Sequence, residues 1–182
     1  PYAKEVAEFI EAEHHIVEIS EEEALKVLDE TPSVIGSFDI TTNRASCMQL
    51  MLARWIQKNT QIRVLFCGEN SDECHYSYKY FFNAPSFDAA REEGIRLVKN
   101  VHTSDIIRTD RTMANASLEV RAPFADPEYF DYIFSLPAEL VAPKDGMEKL
   151  ILRNAFRSLN VLPEKALMRR KDAFSDSVSV QE

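Results

Sequence analysis

Between Ile62 and Phe66 the chain reads IRVLF, and two residues later it enters Gly68-Glu69-Asn70-Ser71-Asp72-Glu73. A compact apolar run of that length is the kind of strand buried in a parallel sheet. A polar loop that follows such a strand and opens a helix is the usual ligand position of an open α/β sheet. Almost everything downstream reads as helix, over about 72–82, 87–99, 102–117, 127–135 and 147–159. Asp126-Pro127 marks one start, a capping Asp with Pro in the first turn.

Upstream, Tyr2, Val6, Phe9 and Ile10 share one helical face over residues 2–12, and His14 to Ile19 reads as a short strand. Ser20 caps a helix and Glu23 completes a capping box. That helix runs through Leu25 and Leu28 toward Thr31 and Pro32, and residues 33–43 read as a loop feeding the next helix. There Met48, Met51, Leu52, Trp55 and Ile56 make the apolar stripe of a core-facing helix. The expected fold class is α/β, mostly helical, with a small parallel sheet and an added helical half.

A length of 182 residues fits one domain better than two, and 45% hydrophobic residues are enough for a core. A net charge of −9 argues against nucleic acid as a partner but leaves room for a small anion at a local basic cluster. Cys47, Cys67 and Cys74 form no C-x-x-C pair and are odd in number, which fits free thiols and a reducing, cytoplasmic setting. No apolar run is long enough to span a membrane, and no signal-peptide pattern opens the chain. The first residue is Pro1 rather than Met, as in a chain that is processed or taken from a longer reading frame.

Three carboxylates, Glu69, Asp72 and Glu73, lie within five residues of the strand end. They suit Mg²⁺ shared with phosphate groups, though on sequence physics alone a solvated acidic helix start is the favoured reading. Lys149 and Arg153, one turn apart on a predicted helix, suit a phosphate or carboxylate, or an ordinary surface beside Glu148. Arg169-Arg170-Lys171 is an anion site or a basic loop. His14 and His15 point to opposite faces of the predicted strand and read as structural.

Taken in order, the segments resemble the glutamine-hydrolysing asparagine synthetases. The likeness is carried by Glu13-His14-His15, Phe38-Asp39-Ile40-Thr41-Thr42 and Arg44-Ala45-Ser46. It continues in Gly68-Glu69, Ser71-Asp72-Glu73, Tyr78-x-Tyr80-Phe81, Asn83-Ala84-Pro85, and Arg111 with Met113-Ala114. Glu119-x-Arg121-x-Pro123-Phe124-x-Asp126, Glu148-Lys149-x-x-Leu152-Arg153 and Arg170-Lys171-x-Ala173-Phe174-Ser175-Asp176 complete it.

The resemblance implies a sheet of the adenine-nucleotide α-hydrolase (ATP-pyrophosphatase) type. It implies ATP and Mg²⁺, an aspartate substrate adenylated on its side chain, and ammonia supplied by a glutaminase domain. By the same resemblance Cys67 and Gly68 stand where a Ser-Gly pair lines the ATP site, and Glu69 stands for the base that receives a proton from ammonia. Asp72 stands for an acid of the magnesium and pyrophosphate site, and Lys149 for a lysine that stabilises phosphoryl charge. Arg44 belongs to the aspartate or adenylate site, and Arg170 with Lys171 to a basic segment near the phosphates. The Arg121 and Asp126 region reads as a structural ion-pair network. A homodimer of the parent enzyme is allowed.

The family's phosphate-gripping Ser-Gly-Gly-x-Asp-Ser loop and its glutaminase domain are not in these 182 residues, so the chain is expected to be a partial synthetase domain, inactive alone. Cys67 replaces Ser, Asn70 replaces Gly, and Gly36 replaces Glu. Ala125 replaces Leu, and His75-Tyr76-Ser77 replaces a smaller, Gly-containing stretch in which Tyr76 is expected to crowd the site. These departures keep two alternatives open, a diverged non-catalytic domain and another ATP-pyrophosphatase amide synthetase.

Overall fold

The computed structural model describes residues 2–171. In chain order the elements are α1 (Tyr2–Phe9), α2 (Glu21–Ile35), α3 (Ile40–Asn59), β1 (Val64–Phe66), α4 (Ser71–Cys74), α5 (Phe87–Asn100), α6 (Asp105–Asn115), β2 (Glu119–Arg121), α7 (Pro127–Ser135), α8 (Ala138–Val141), α9 (Leu150–Leu159) and α10 (Glu164–Leu167). The described residues are therefore mostly helical with a small parallel sheet, as the sequence predicts. It forms two compact units, each discontinuous in sequence. One comprises Val17–Asn70 and Leu97–Pro127; the other comprises the chain up to Ile16, Ser71–Arg96 and Glu128–Lys171.

In the first unit α2 starts as its sequence dictates. The Ser20 side chain accepts from the Glu23 amide, and the Glu23 carboxylate accepts from the Ser20 amide at 3.0 Å. The helix does not stop near Pro32, however, and residues 33–35 are helical rather than loop. Gly36 ends it in the left-handed region (φ 65°), donating its N–H to Pro32 O. Arg111 crosses this cap, bonded to Ile35 O, and its Nη1 lies 2.6 Å from where a Cβ on residue 36 would stand. The left-handed backbone favours glycine, and a Cβ there would also require the Arg111 guanidinium to shift.

Asp39 then caps α3 through the Thr42 amide at 2.7 Å. The most buried face of α3 is Ser46, Leu50 and Ala53, each 0% exposed, rather than the larger stripe that the periodicity selects. Met48 is buried, whereas Met51, Leu52, Trp55 and Ile56 are half-buried. Small residues on that face let α2 and α6 approach closely. Ala53, Met113, Ala116 and Leu118 form a core with Ile56, Leu65 and Val120 packed on it.

The sheet pairs Val64, Leu65 and Phe66 in parallel register with Glu119, Val120 and Arg121. Two expectations need correction. The predicted buried strand is three residues long and exposes Val64 and Phe66, so only Leu65 faces the core. Residues 14–19 form no strand. β2 carries no sequence signal, because one apolar residue between two charged ones is too short to show alternation. Arg121 and Glu119 do ion-pair, at 2.5 Å, on exposed positions of this strand.

In the second unit the predicted helix over 72–82 breaks after Cys74, because Tyr76 takes a left-handed backbone (φ 51°). Its ring is fully buried, 5.6 Å from the Phe81 ring and 6.3 Å from Phe134. It also lies over Gly94 of α5, where an added Cβ would meet Tyr76 Cε1 at 2.5 Å and Glu73 O at 3.1 Å. Tyr76 therefore fills the interior of this unit. Gly94→Ala supplies a better helix former, worth about 1 kcal/mol, but overpacks a fixed ring, which costs about 1–3 kcal/mol. The expected result is a net loss of stability in urea denaturation; an increase would mean that the ring is not held there. Elsewhere α1 packs on α10, and α9 on α8 and α10.

Candidate functional site

The polar loop after β1 supplies one residue to a cluster in each unit. In the first, Glu69 is partly buried, with a side chain 16% exposed. Its Oε1 accepts from Thr109 Oγ1 at 2.7 Å, Gln49 Nε2 at 3.2 Å and Arg108 Nε at 3.3 Å. Its Oε2 accepts from Arg108 Nη2 at 3.0 Å. Arg108 in turn pairs with Asp105 at 2.5 Å. Arg108 and Thr109 project from α6 and Gln49 from α3, the helices that pack together beneath β1 and β2. Such a carboxylate is fixed in position, charged partner and all, before any substrate arrives.

The backbone beside Glu69 has the conformations its sequence requires. Asn70 is left-handed (φ 71°), so Asn is the best substitute for glycine there. Gly68 faces open space, with nothing within 4 Å of a Cβ position, which leaves room for a ligand against the backbone. Cys67 keeps its backbone contact, donating N–H to Arg121 O at 2.9 Å. Burial pushes its thiol above the usual range.

In the second unit Asp72 stands between two ammonium groups. Lys149 Nζ lies 2.8 Å from Oδ1 and Lys171 Nζ 2.8 Å from Oδ2. Burial alone would raise the Asp72 carboxyl, but Lys149 and then Lys171 hold it below its ordinary value. Two ammonium groups thus converge on one part-buried carboxylate, with the buried carboxylates of Glu73 and Glu148 close by. Lys149 is placed by an uncommon backbone, left-handed (φ 57°), immediately before α9. Lys171 is placed by its amide, which donates to the buried Glu148 carboxylate at 3.1 Å, and by the Tyr78 ring, 4.6 Å from its Nζ. Arg153 holds Glu148 in turn at 2.6 Å. Arg153 is thus a brace and not, as its spacing suggests, a second phosphate grip beside Lys149.

The described residues contain no group of three or more His, Cys, Asp or Glu able to hold a metal ion. Asp72, with both oxygens ion-paired, does not make a Mg²⁺ site by itself. Arg44 lies exposed in the first turns of α3, and Arg170 is exposed. The Ala173-Phe174-Ser175-Asp176 segment lies outside the described residues. Sequence reasoning missed Gln49, Arg108, Thr109 and Glu148. Only Glu148 had a signal, its place in the motif with Lys149.

Beside Asp72, His75 is wholly buried. Its Nδ1 donates to Ser71 O at 2.7 Å, so Nε2 accepts from Tyr129 Oη at 2.8 Å. Burial pushes His75 down to about 4, with Lys149 acting in the same direction and the Ser71 and Asp72 contacts opposing. In the unfolded chain it titrates near its ordinary value of about 6.5. The unfolded state therefore binds the proton first as pH falls, and stability present above about 6.5 declines toward pH 4, by about 3 kcal/mol in all. The lowered carboxylates Asp72, Asp39, Glu23, Glu30, Glu93 and Glu164 act only further down, below their ordinary values. Urea midpoints are expected to fall between pH 7 and 5, and His75→Gln to flatten that slope. An unchanged slope in the variant would remove His75 as its cause.

No described helix is long and apolar enough to cross a membrane. A family profile described as asparagine synthase matches residues 1–96 and 88–181. Over 177 residues, 97% of the chain, the sequence is 45% identical to the glutamine-hydrolysing asparagine synthetase of Rattus norvegicus. It is 44% identical to that of Mesocricetus auratus and 42% to that of Homo sapiens over the same length. The chain spans 32% of the length of each of these relatives.

Proposed function

Because the chain belongs to the asparagine synthase family, we propose that the protein carrying it converts aspartate to asparagine at the expense of ATP. In this reading the aspartate side-chain carboxylate attacks the α-phosphate, giving β-aspartyl-AMP and pyrophosphate. Ammonia then displaces AMP. The observation that carries the reading is the Asp72–Lys149–Lys171 cluster, in which two braced ammonium groups converge on one carboxylate in a chain of net charge −9. Charge that builds on phosphoryl oxygens needs such preorganised cations.

Lys149 and Lys171 take the phosphoryl charge, with Arg170 following the phosphates. Arg44 serves the aspartate or adenylate site, and Cys67 and Gly68 offer backbone to the nucleotide. Glu69 receives a proton from the attacking nitrogen. Mg²⁺ belongs to this scheme as the counter-ion of the substrate ATP, and Asp72 would meet it only by releasing a lysine. The parallel pair β1 and β2, with Glu69 just beyond β1, supports an ATP-pyrophosphatase type of sheet. Ammonia comes, in this proposal, from a glutaminase domain outside the 182 residues. The three free thiols support a cytoplasmic setting.

The non-catalytic alternative drew on Tyr76 as an obstruction, and the burial of that ring against Gly94 weakens it. The test is to supply the full-length protein with ATP, ammonium and aspartate. Aspartate-dependent release of AMP and pyrophosphate with asparagine is expected. ATP turnover independent of aspartate, or none, would reject the proposal.

A further inference from the structure

Gln49 and Thr109 form a closed ring of hydrogen bonds with one oxygen of Glu69. The Thr109 hydroxyl donates to Oε1, and the Gln49 amide donates both to Oε1 and to Thr109 Oγ1 at 3.1 Å. With Arg108 Nε, Oε1 receives three donors, whereas Oε2 receives one among the described residues. An ionised carboxylate has about two acceptor positions on each oxygen. Oε1 is therefore saturated and Oε2 keeps a lone pair.

The Gln49 side chain carries a second sign of specialisation. Its Oε1 is buried without a hydrogen-bond partner among the described residues. A buried acceptor left unpaired is destabilising. Gln49 is held at that cost while its amide N–H groups serve only Glu69 and Thr109.

We propose that Gln49 and Thr109 are positioning residues that tie down Glu69 Oε1 and leave Oε2 as the oxygen that receives the proton of the incoming nitrogen. This rests on the reading of Glu69 as the base. In the step concerned the nitrogen lone pair of ammonia forms the C–N bond at the β-acyl carbon. The bond from that carbon to the phosphate oxygen breaks, AMP leaves with the electron pair, and one N–H proton passes to Oε2. Arg108, bound through both Nε and Nη2, keeps the carboxylate plane in place as the proton arrives.

The experiment compares Thr109→Val, Thr109→Ser, Gln49→Met and Glu69→Gln in the full-length protein. Two rates are read in each: aspartate-dependent ATP–pyrophosphate exchange, which precedes nitrogen attack, and ammonia-dependent asparagine formation. Thr109→Val and Gln49→Met are expected to lower asparagine formation by roughly 10- to 100-fold, the scale of a misplaced catalytic group. Exchange should change far less. Thr109→Ser should restore asparagine formation, and Gln49→Met, which removes the orphaned acceptor, should not lower the melting temperature. If Thr109→Val and Gln49→Met form asparagine normally while Glu69→Gln does not, the positioning role is wrong and the base survives. If they lower both rates equally, their role is structural and the proposal fails. If Glu69→Gln itself forms asparagine normally, the base reading fails and the proposal with it.

Discussion

Lys149→Ala is expected to lower aspartate-dependent ATP–pyrophosphate exchange by roughly 10²–10³-fold, the usual loss when one preorganised group facing transition-state charge is removed. The substitution takes away one of the two ammonium groups on Asp72 and leaves Lys171 as its remaining partner at 2.8 Å. The carboxylate is thus not stranded, so a folding defect should not mimic the effect. Lys149→Gly separates the two causes further. Lys149 holds a left-handed backbone (φ 57°) that glycine adopts without penalty. Lys149→Gly should therefore melt higher than Lys149→Ala, both having lost the Asp72 ion pair, while losing the same exchange. Exchange retained in both variants would exclude Lys149 from adenylation.

Glu69→Gln is expected to act later in the reaction. General-base groups contribute roughly 10²–10⁴-fold, and asparagine formation should fall within that range with exchange largely kept. Arg108 remains paired with Asp105 at 2.5 Å, so losing the Glu69 charge does not leave a buried cation alone. The amide of a glutamine would turn N–H groups toward Arg108 or Thr109, both of which now donate. The variant may not be judged by activity alone for that reason, and its melting temperature belongs beside its rates.

How much of this was legible in the sequence depended on how far apart the interacting residues stand. The Ser20–Glu23 box was readable because donor and acceptor lie three residues apart; the Asp39 cap has the same spacing but falls in residues 33–43, which were expected to be loop. The resemblance pointed to Glu69, Asp72 and Lys149 as candidates. Their partners were not readable. Thr109 stands 40 residues from Glu69, and nothing in the local pattern marks a threonine on α6 as a carboxylate ligand. Lys171 appeared only as part of a basic run, and its place on Asp72 depends on the Arg153–Glu148 brace.

The fold shows the same division. The 72–82 helix was overextended because a left-handed tyrosine is rare, and only the cavity above Gly94 makes Tyr76 fit. β2 was missed because its pairing with β1, rather than its own composition, makes it a strand. The interleaving of the two units is likewise a product of long-range packing, invisible to any local window.

In the proposed reaction Lys149 with Asp72 and Lys171 serves formation of the acyl-adenylate, and Glu69 serves its capture by nitrogen. The most direct measurement is a rapid-quench assay of β-aspartyl-AMP in full-length Glu69→Gln and Lys149→Ala proteins supplied with aspartate, ATP and ammonium. The intermediate is expected to accumulate in Glu69→Gln and to fail to form in Lys149→Ala. Equal absence of the intermediate from both variants, or its accumulation in Lys149→Ala, would contradict these roles.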